Sequence, residues 1–198
     1  MEGRKTGDEP GKAMGERIDL DIIRTSRLRL RKLQPADASL IQQLNSDPEV
    51  MRFIGPVETG LEKAQAYTDL RVAQYRDRPG LGIFVAELAG TASETSEYKK
   101  ENIGWFCLKS LEETEEVEVG YRLLPKYWNQ GYATEGAKAM LNQGFRALGL
   151  DKIVGVTLPT NLASQAILKK VGMVYVGIKT YYGHELCYFR RGPQPEWL

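Results

Sequence analysis

One histidine and two cysteines are all the imidazole and thiol ligands that this 198-residue chain could offer a metal. With His184 as the only histidine, no His/Cys metal cluster can be assembled, and no metal is expected. Cys107 and Cys187 stand far apart in apolar runs. They read as small core residues of a reducing compartment rather than a disulfide framework. Net charge is scarce too. A balance of +1 gives no reason to expect a general nucleic-acid or membrane-surface binder. No apolar run approaches the roughly 18 residues that a membrane-spanning helix needs. The stretch from Met1 to Arg17 is rich in glycine and charge and lacks the apolar core of a signal peptide, so the expected compartment is the cytoplasm.

What remains is ordinary globular material. Hydrophobic residues make up 42% and charged residues 27%, which suits one domain with a full core. Residues 1–22 are expected to be a flexible leader and 23–198 the domain. Arg27 to Leu33 alternates charged and apolar residues, which predicts a strand with one wet face. Pro35 opens a helix carrying Leu40, Ile41 and Leu44. A second helix from Leu61 to Asp77 places Leu61, Ala64, Tyr67 and Leu70 on one face. Strands follow near residues 81–88, 103–108 and 116–124, with a polar loop from Ala89 to Glu101. Thr134 to Leu148 is helical and Gly149 a plausible C-cap. A strand at 152–158, a helix capped by Thr160 or Asn161, and two final strands joined near Tyr182 complete the chain. Strands 116–124 and 152–158 flank a helix and should be parallel neighbours in a mixed α/β sheet.

The densest segment runs from Glu118 to Glu135. It reads as a strand, a loop with Gly131, and the start of a helix. That order presents backbone N–H groups at a helix N-terminus, where partial positive charge favours phosphate. Gly131 lets the backbone approach a ligand closely, and Ala133 keeps bulk away. Glu118 is a candidate proton acceptor for an amine. It also belongs to an acidic run with Glu112, Glu113, Glu115 and Glu116, and such runs usually form a solvated face. That plain reading is kept for the other four. Phe53, Ile54, Tyr181 and Tyr182 are candidate linings of an acceptor pocket, and His184 reads as an exposed turn residue.

Three stretches resemble the GNAT superfamily of acyl-CoA-dependent N-acetyltransferases. They are Glu118-Val-Gly-Tyr121, Pro125-Lys-Tyr-Trp-Asn-Gln-Gly-Tyr-Ala-Thr-Glu135 and Asn161-Leu-Ala-Ser-Gln-Ala-Ile-Leu-Lys-Lys-Val-Gly-Met173. With the opening Thr25-Ser-Arg-Leu-Arg-Leu-Arg31, the likeness is closest to the branch that acetylates ribosomal-protein N-termini. It implies a single-domain, mostly antiparallel twisted sheet with helices on both faces and a splayed parallel strand pair that binds acyl-CoA. It further implies that the backbone of Gln130, Gly131, Tyr132, Ala133 and Thr134 holds the CoA pyrophosphate. Leu123 and Leu124 would offer backbone groups to the pantetheine arm, and Asn161 would hydrogen-bond the same arm. Asn161 is equally a helix cap.

The chain departs from the superfamily at Trp128, at Asn129 and, with more consequence, at Leu168, where many members carry a tyrosine that protonates the departing thiolate. The resemblance names Ser164 as the substitute; a capping hydroxyl is the plain alternative. Acetyl-CoA is thus expected as acyl-donor substrate, with Glu118 and Ser164 as catalytic residues. The expected partner is an amine acceptor, a protein N-terminus or a small amine such as an aminoglycoside or polyamine. A homodimer is left open, and neither nucleic acid nor membrane is expected. The rival readings are a CoA-binding module without turnover and a nucleotide-binding loop. The latter lacks the Lys-Ser/Thr ending of a P-loop.

Overall fold

The structure is a computed structural model that describes residues 21–74, 78–89, 101–112 and 114–194. Residues 1–20 of the expected leader and 90–100 of the expected loop lie outside the described residues. Ile22, assigned to the leader from sequence, instead begins a strand, β1 (Ile22–Arg24). It pairs antiparallel with β2 (Leu28–Lys32), the strand that the alternation predicts. Leu28 and Leu30 are fully buried. The opposite face is less wet than expected. Buried Glu87 takes Arg29 at 2.5 Å and Arg31 at 2.7 Å, and Arg31 also holds Asp37.

Three helices follow, with two corrections to the expectation. α1 spans Ala38–Ser46, and a short α2 that the sequence analysis did not anticipate spans Pro48–Met51. Asp47 caps α2 by accepting N–H bonds from Glu49 and Val50. α3 covers Leu61–Ala73. Its buried residues are Ala64 and Thr68, whereas Leu61 and Leu70 face solvent. The stripe assigned from apolar character alone was therefore rotated. Thr68 tolerates burial because its hydroxyl donates to Ala64 O at 2.7 Å.

The remaining elements are β3 (Gly82–Leu88), β4 (Asn102–Ser110), β5 (Val117–Leu123), α4 (Tyr132–Asn142), β6 (Ile153–Thr157), α5 (Leu162–Lys170), β7 (Val174–Tyr181) and β8 (His184–Arg191). α4 continues through a π-helical turn, Gln143–Ala147, and Gly149 follows with φ 64°. The eight strands form one sheet in the order β1-β2-β3-β4-β5-β6-β8-β7. All neighbours are antiparallel except β5 and β6. Side-chain alternation sends the two faces into separate cores. Phe84, Phe106, Val119 and Leu123 pack with Ala137, Met140 and Leu168 of α4 and α5. Val85, Trp105 and Cys107 pack with Leu40, Ile41, Leu44 and Ala64 of α1 and α3. This is the mixed sheet with helices on both faces that the resemblance implied.

Two local features set up the site. β5 pairs with β4 along its whole length, but with β6 only at Glu118 opposite Val154. Beyond that point the two parallel strands part. Gly136 lets α4 sit directly on β4, because a Cβ there would fall inside the Phe106 ring. Gly136→Ala should therefore destabilise the fold by about 2 kcal/mol, as overpacked core sites do. Urea denaturation checks this, and Phe106→Leu should recover part of the loss.

Candidate active site

The loop that enters α4 has an unusual backbone for its length. Asn129 and Gly131 both sit at positive φ, 58° and 84°. Asparagine tolerates that region, which explains how it replaces a more usual glycine. Gly131 is the N-cap and has no side chain to cap with. The first helical bond runs from Glu135 N–H to Gly131 O, so the N–H groups of Tyr132, Ala133 and Thr134 have no acceptor among the described residues. Gln130 and Gly131 are exposed. Free, aligned and accessible donors are what a phosphate group requires, so these residues fit the CoA pyrophosphate.

A clamp that the sequence reading did not identify holds this cradle in place. Glu135 accepts from Thr25 Oγ1 at 2.6 Å, Ser26 Oγ at 3.1 Å, the Arg27 backbone N–H at 3.0 Å and Arg27 Nε at 2.7 Å. Arg27 also donates to Gln130 O at 3.0 Å and covers the Tyr132 ring at 4.5 Å. Burial alone would raise the Glu135 carboxyl; the bonds from Thr25, Arg27 and Ser26 outweigh it and hold the group below its usual range.

The open edge of β5 is the second part. Gly104 and Leu123 form a non-hydrogen-bonded pair, since Leu124 N–H reaches Ile103 O at 2.9 Å. Leu123 therefore turns its backbone groups toward the gap, and Trp128 Nε1 takes its carbonyl at 2.7 Å. Leu124 differs from the expectation. Its N–H is bonded to Ile103 and its carbonyl accepts from Tyr127 N–H, so Leu123 N–H is the donor free to face a ligand. Asn161 caps α5 through Oδ1, which accepts Ser164 N–H at 3.1 Å, and leaves its amide donors uncommitted. Capping and ligand binding thus use different atoms of one side chain.

Ser164 meets a partner that the sequence did not reveal. Its hydroxyl lies 3.1 Å from the phenol oxygen of Tyr121 on β5. Burial pushes that phenol up to about 12, with the Ser164 bond acting the other way, so it stays protonated near neutral pH. Leu168, the position where a superfamily tyrosine is absent, is a core residue.

Glu118 lies on the opposite face of β5 and is 6% exposed. One oxygen, Oε1, takes Lys109 Nζ at 2.6 Å and the Tyr182 hydroxyl at 2.9 Å. Oε2 has no partner among the described residues. Burial would lower the Lys109 ammonium, but the Glu118 charge and hydrogen bond lift it above its usual range. Tyr182 comes from the two-residue turn between β7 and β8, where it and Gly183 have φ 53° and 74°. A tyrosine in that region costs about 1 kcal/mol. Its hydroxyl also meets Lys109 Nζ and Glu112 N–H, each at 3.1 Å. Cys107 lies beside this face, and burial pushes its thiol up to about 12. It remains a thiol rather than a nucleophilic thiolate.

The acidic run is only partly a solvated face. Glu112 and Glu115 are exposed, and Glu113 lies outside the described residues. Glu116 was assigned to surface but is built in. It accepts from Lys152 at 2.5 Å and Tyr188 at 2.7 Å, and these bonds hold it below its usual range against burial. His184 is exposed as expected. Among the described residues there is no group of metal-ligating side chains, and no helix is long and apolar enough to cross a membrane.

Residues 27–174 match the acetyltransferase (GNAT) domain family. The chain is 33% identical over 164 residues to the Aspergillus fumigatus FsC-acetyl coenzyme A-N(2)-transacetylase, covering 78% of this chain and 65% of that protein. It thus spans about two thirds of that relative. In fold it is similar to RimL, a ribosomal L7/L12 alpha-N-protein acetyltransferase in complex with coenzyme A, with TM-score 0.70, 16% identity and coverage of 87% and 98%. It is equally similar to the spermidine N-acetyltransferase of Vibrio cholerae in complex with CoA and spermine, with TM-score 0.68, 19% identity and coverage of 85% and 96%. The chain belongs to the GNAT acetyltransferase family, the class of acetyl-CoA-dependent N-acetyltransferases.

The Glu135 clamp carries a pH signature. Its carboxyl is depressed in the folded chain, so its stabilisation is complete above the unfolded value and is lost as pH falls through the folded one. Glu135→Gln should lower the Tm at pH 7, and the gap from wild type should close as the pH is taken toward about 3. Thermal melts across that range measure it.

Proposed function

We propose that this chain moves an acetyl group from acetyl-CoA to a primary amine by direct attack in a ternary complex. The carrying observation is the opening of β5 and β6 between two chemically different faces, with the free helix N-terminus of α4 nearby. Acetyl-CoA is a substrate here. Gln130 to Thr134 would hold its pyrophosphate, with Leu123 and Asn161 along the pantetheine arm. Glu118 Oε2 would receive the amine proton, directly or through water. As the N–C bond forms, a backbone N–H on the open edge of β5 would steady the oxyanion. As the C–S bond breaks, Ser164 would give its proton to the thiolate and draw on Tyr121. A thiol resembling cysteine has pKa about 8.5, so that last transfer is the least demanding.

For the acceptor, we favour the α-amine of a protein N-terminus, on the motifs quoted above. A small-molecule amine is the second reading, favoured by the 33% identity to a transacetylase named for FsC. The test is release of CoA thiol from acetyl-CoA with N-terminal peptides, aminoglycosides and polyamines, against an amine-free blank. Release with peptides alone supports the first reading; release with small amines alone supports the second. Absence of release with intact acetyl-CoA binding would mean a binding module.

Glu118→Gln should slow transfer by about 10²-fold or more while sparing acetyl-CoA affinity. Wild-type rates throughout the pH range would remove Glu118 from the mechanism. Gly131→Asp should weaken acetyl-CoA binding at least ~10-fold, because a carboxylate then faces the phosphates. Calorimetry with acetyl-CoA alone reads this without turnover. Ser164→Ala should cost less than either.

A further inference from the structure

The face of β5 that carries Glu118 also carries Gly120 and Arg122. Across β4 they stand opposite Lys109, Cys107 and Trp105. Glu118 has its counter-charge in Lys109. Arg122 has none. Its Nη1 donates to Asn45 Oδ1 at 2.9 Å and approaches Met51 Sδ at 3.7 Å, and its guanidinium lies 5.2 Å from the Trp105 ring centre. Both side-chain partners are neutral. Among the described residues no carboxylate reaches ion-pair distance of it. Its Nε and Nη2 make no hydrogen bond among the described residues, yet neither nitrogen is sealed from solvent.

The electrostatic setting points the same way. Burial lowers the Arg122 pKa, and Tyr67, Cys107 and Glu58 offset that only in part. Arg71 adds a second positive charge on this side. It stacks on Tyr67 at 4.9 Å, hydrogen-bonds the neutral Gln74, and keeps a buried Nε without an acceptor. Cations largely withdrawn from water and without an ion-paired anion are unfavourable unless something supplies one. An open guanidinium fork fits a planar carboxylate best. Between Glu118 and Arg122, Gly120 contributes no side chain, and a Cβ there would press on Cys107 Sγ at 3.0 Å. The stretch of sheet between the two charged residues is therefore low.

We propose that the amine acceptor is an acid, which docks a carboxylate on Arg122 while its amine lies toward Glu118. The inference rests on the reading of Glu118 as proton acceptor and adds the chemical class of the substrate. Glu118 and Arg122 rise from Cα atoms about 13 Å apart, four strand residues, so amine and carboxylate are separated by several bonds. A peptide with Asp or Glu soon after its N-terminus has that layout, and so does a small amino dicarboxylic acid. A polyamine or aminoglycoside has the wrong charge for this wall.

The test uses matched acceptors: tripeptides with Asp or Glu at positions two and three, their Asn and Gln isosteres, free glutamate and aspartate, and spermidine. The wild-type protein should favour acidic over amide acceptors by about tenfold in kcat/KM, the scale of one charge-assisted contact. Arg122→Gln should collapse that ratio to within about twofold, and Arg122→Lys, which keeps charge without the fork, should retain part of it. The peptide and free-acid arms tell which source supplies the carboxylate. Calorimetry with the N-acetylated peptides and CoA reads the same preference without turnover. A wild type indifferent to the carboxylate, or preferring spermidine, overturns the proposal, as does an Arg122→Gln variant that keeps the preference. Glu118→Gln separates the two readings: full activity in that variant removes Glu118, while the acid preference and its loss in Arg122→Gln still report on Arg122.

Discussion

The site depends on how little β5 holds of β6. One register pair, Glu118 against Val154, joins the two parallel strands before they diverge. A sheet that stayed zipped would give every backbone group on that edge a partner. This one leaves Leu123 N–H unspent, opens a passage between the faces, and lets groups from both sides act at one place. Glu118 and Lys109 lie on the side of α1 and α3; Tyr121 and Ser164 lie on the side of α4 and α5. In the proposed reaction, an acceptor of protons and a donor of protons would thus flank one thioester without neutralising each other.

Charge is used in two ways. Glu87, Glu116 and Glu135 each collect several donors and are locked into the scaffold. Glu118 is only half engaged, with both partners on a single oxygen. The difference separates structural carboxylates from one with capacity left over. Removing Glu87 would take a counter-charge from the largely buried Arg29 and Arg31, which makes that group the hardest of the three to lose.

Much of this was legible along the chain. Strand alternation, the Gly131 turn, the Asn161 cap and the Gly149 stop are local signals, and each acts through the residues beside it. The misses were contacts between distant segments. Apolar character suggested Leu61 and Leu70 for the buried face of α3, while packing chose Ala64 and Thr68. Glu116 looked like one more acid in a solvated run until Lys152 and Tyr188 closed on it. Tyr121 beside Ser164 and Tyr182 over Glu118 are separated by 43 and 64 positions, and no local pattern encodes such meetings.

The Arg27–Glu135 clamp has a consequence for the order in which the protein assembles. Its two residues are 108 positions apart, and the strand that brings Arg27 lies at the start of the described chain. Closing so long a loop is entropically expensive and slow, so helices and local hairpins form ahead of it. A nascent chain could complete β3 through α5 and still lack a settled phosphate cradle until β2 adds to the edge of the sheet. On the proposed reading, competence to hold acetyl-CoA would then arrive late in folding, as one of the last contacts to close.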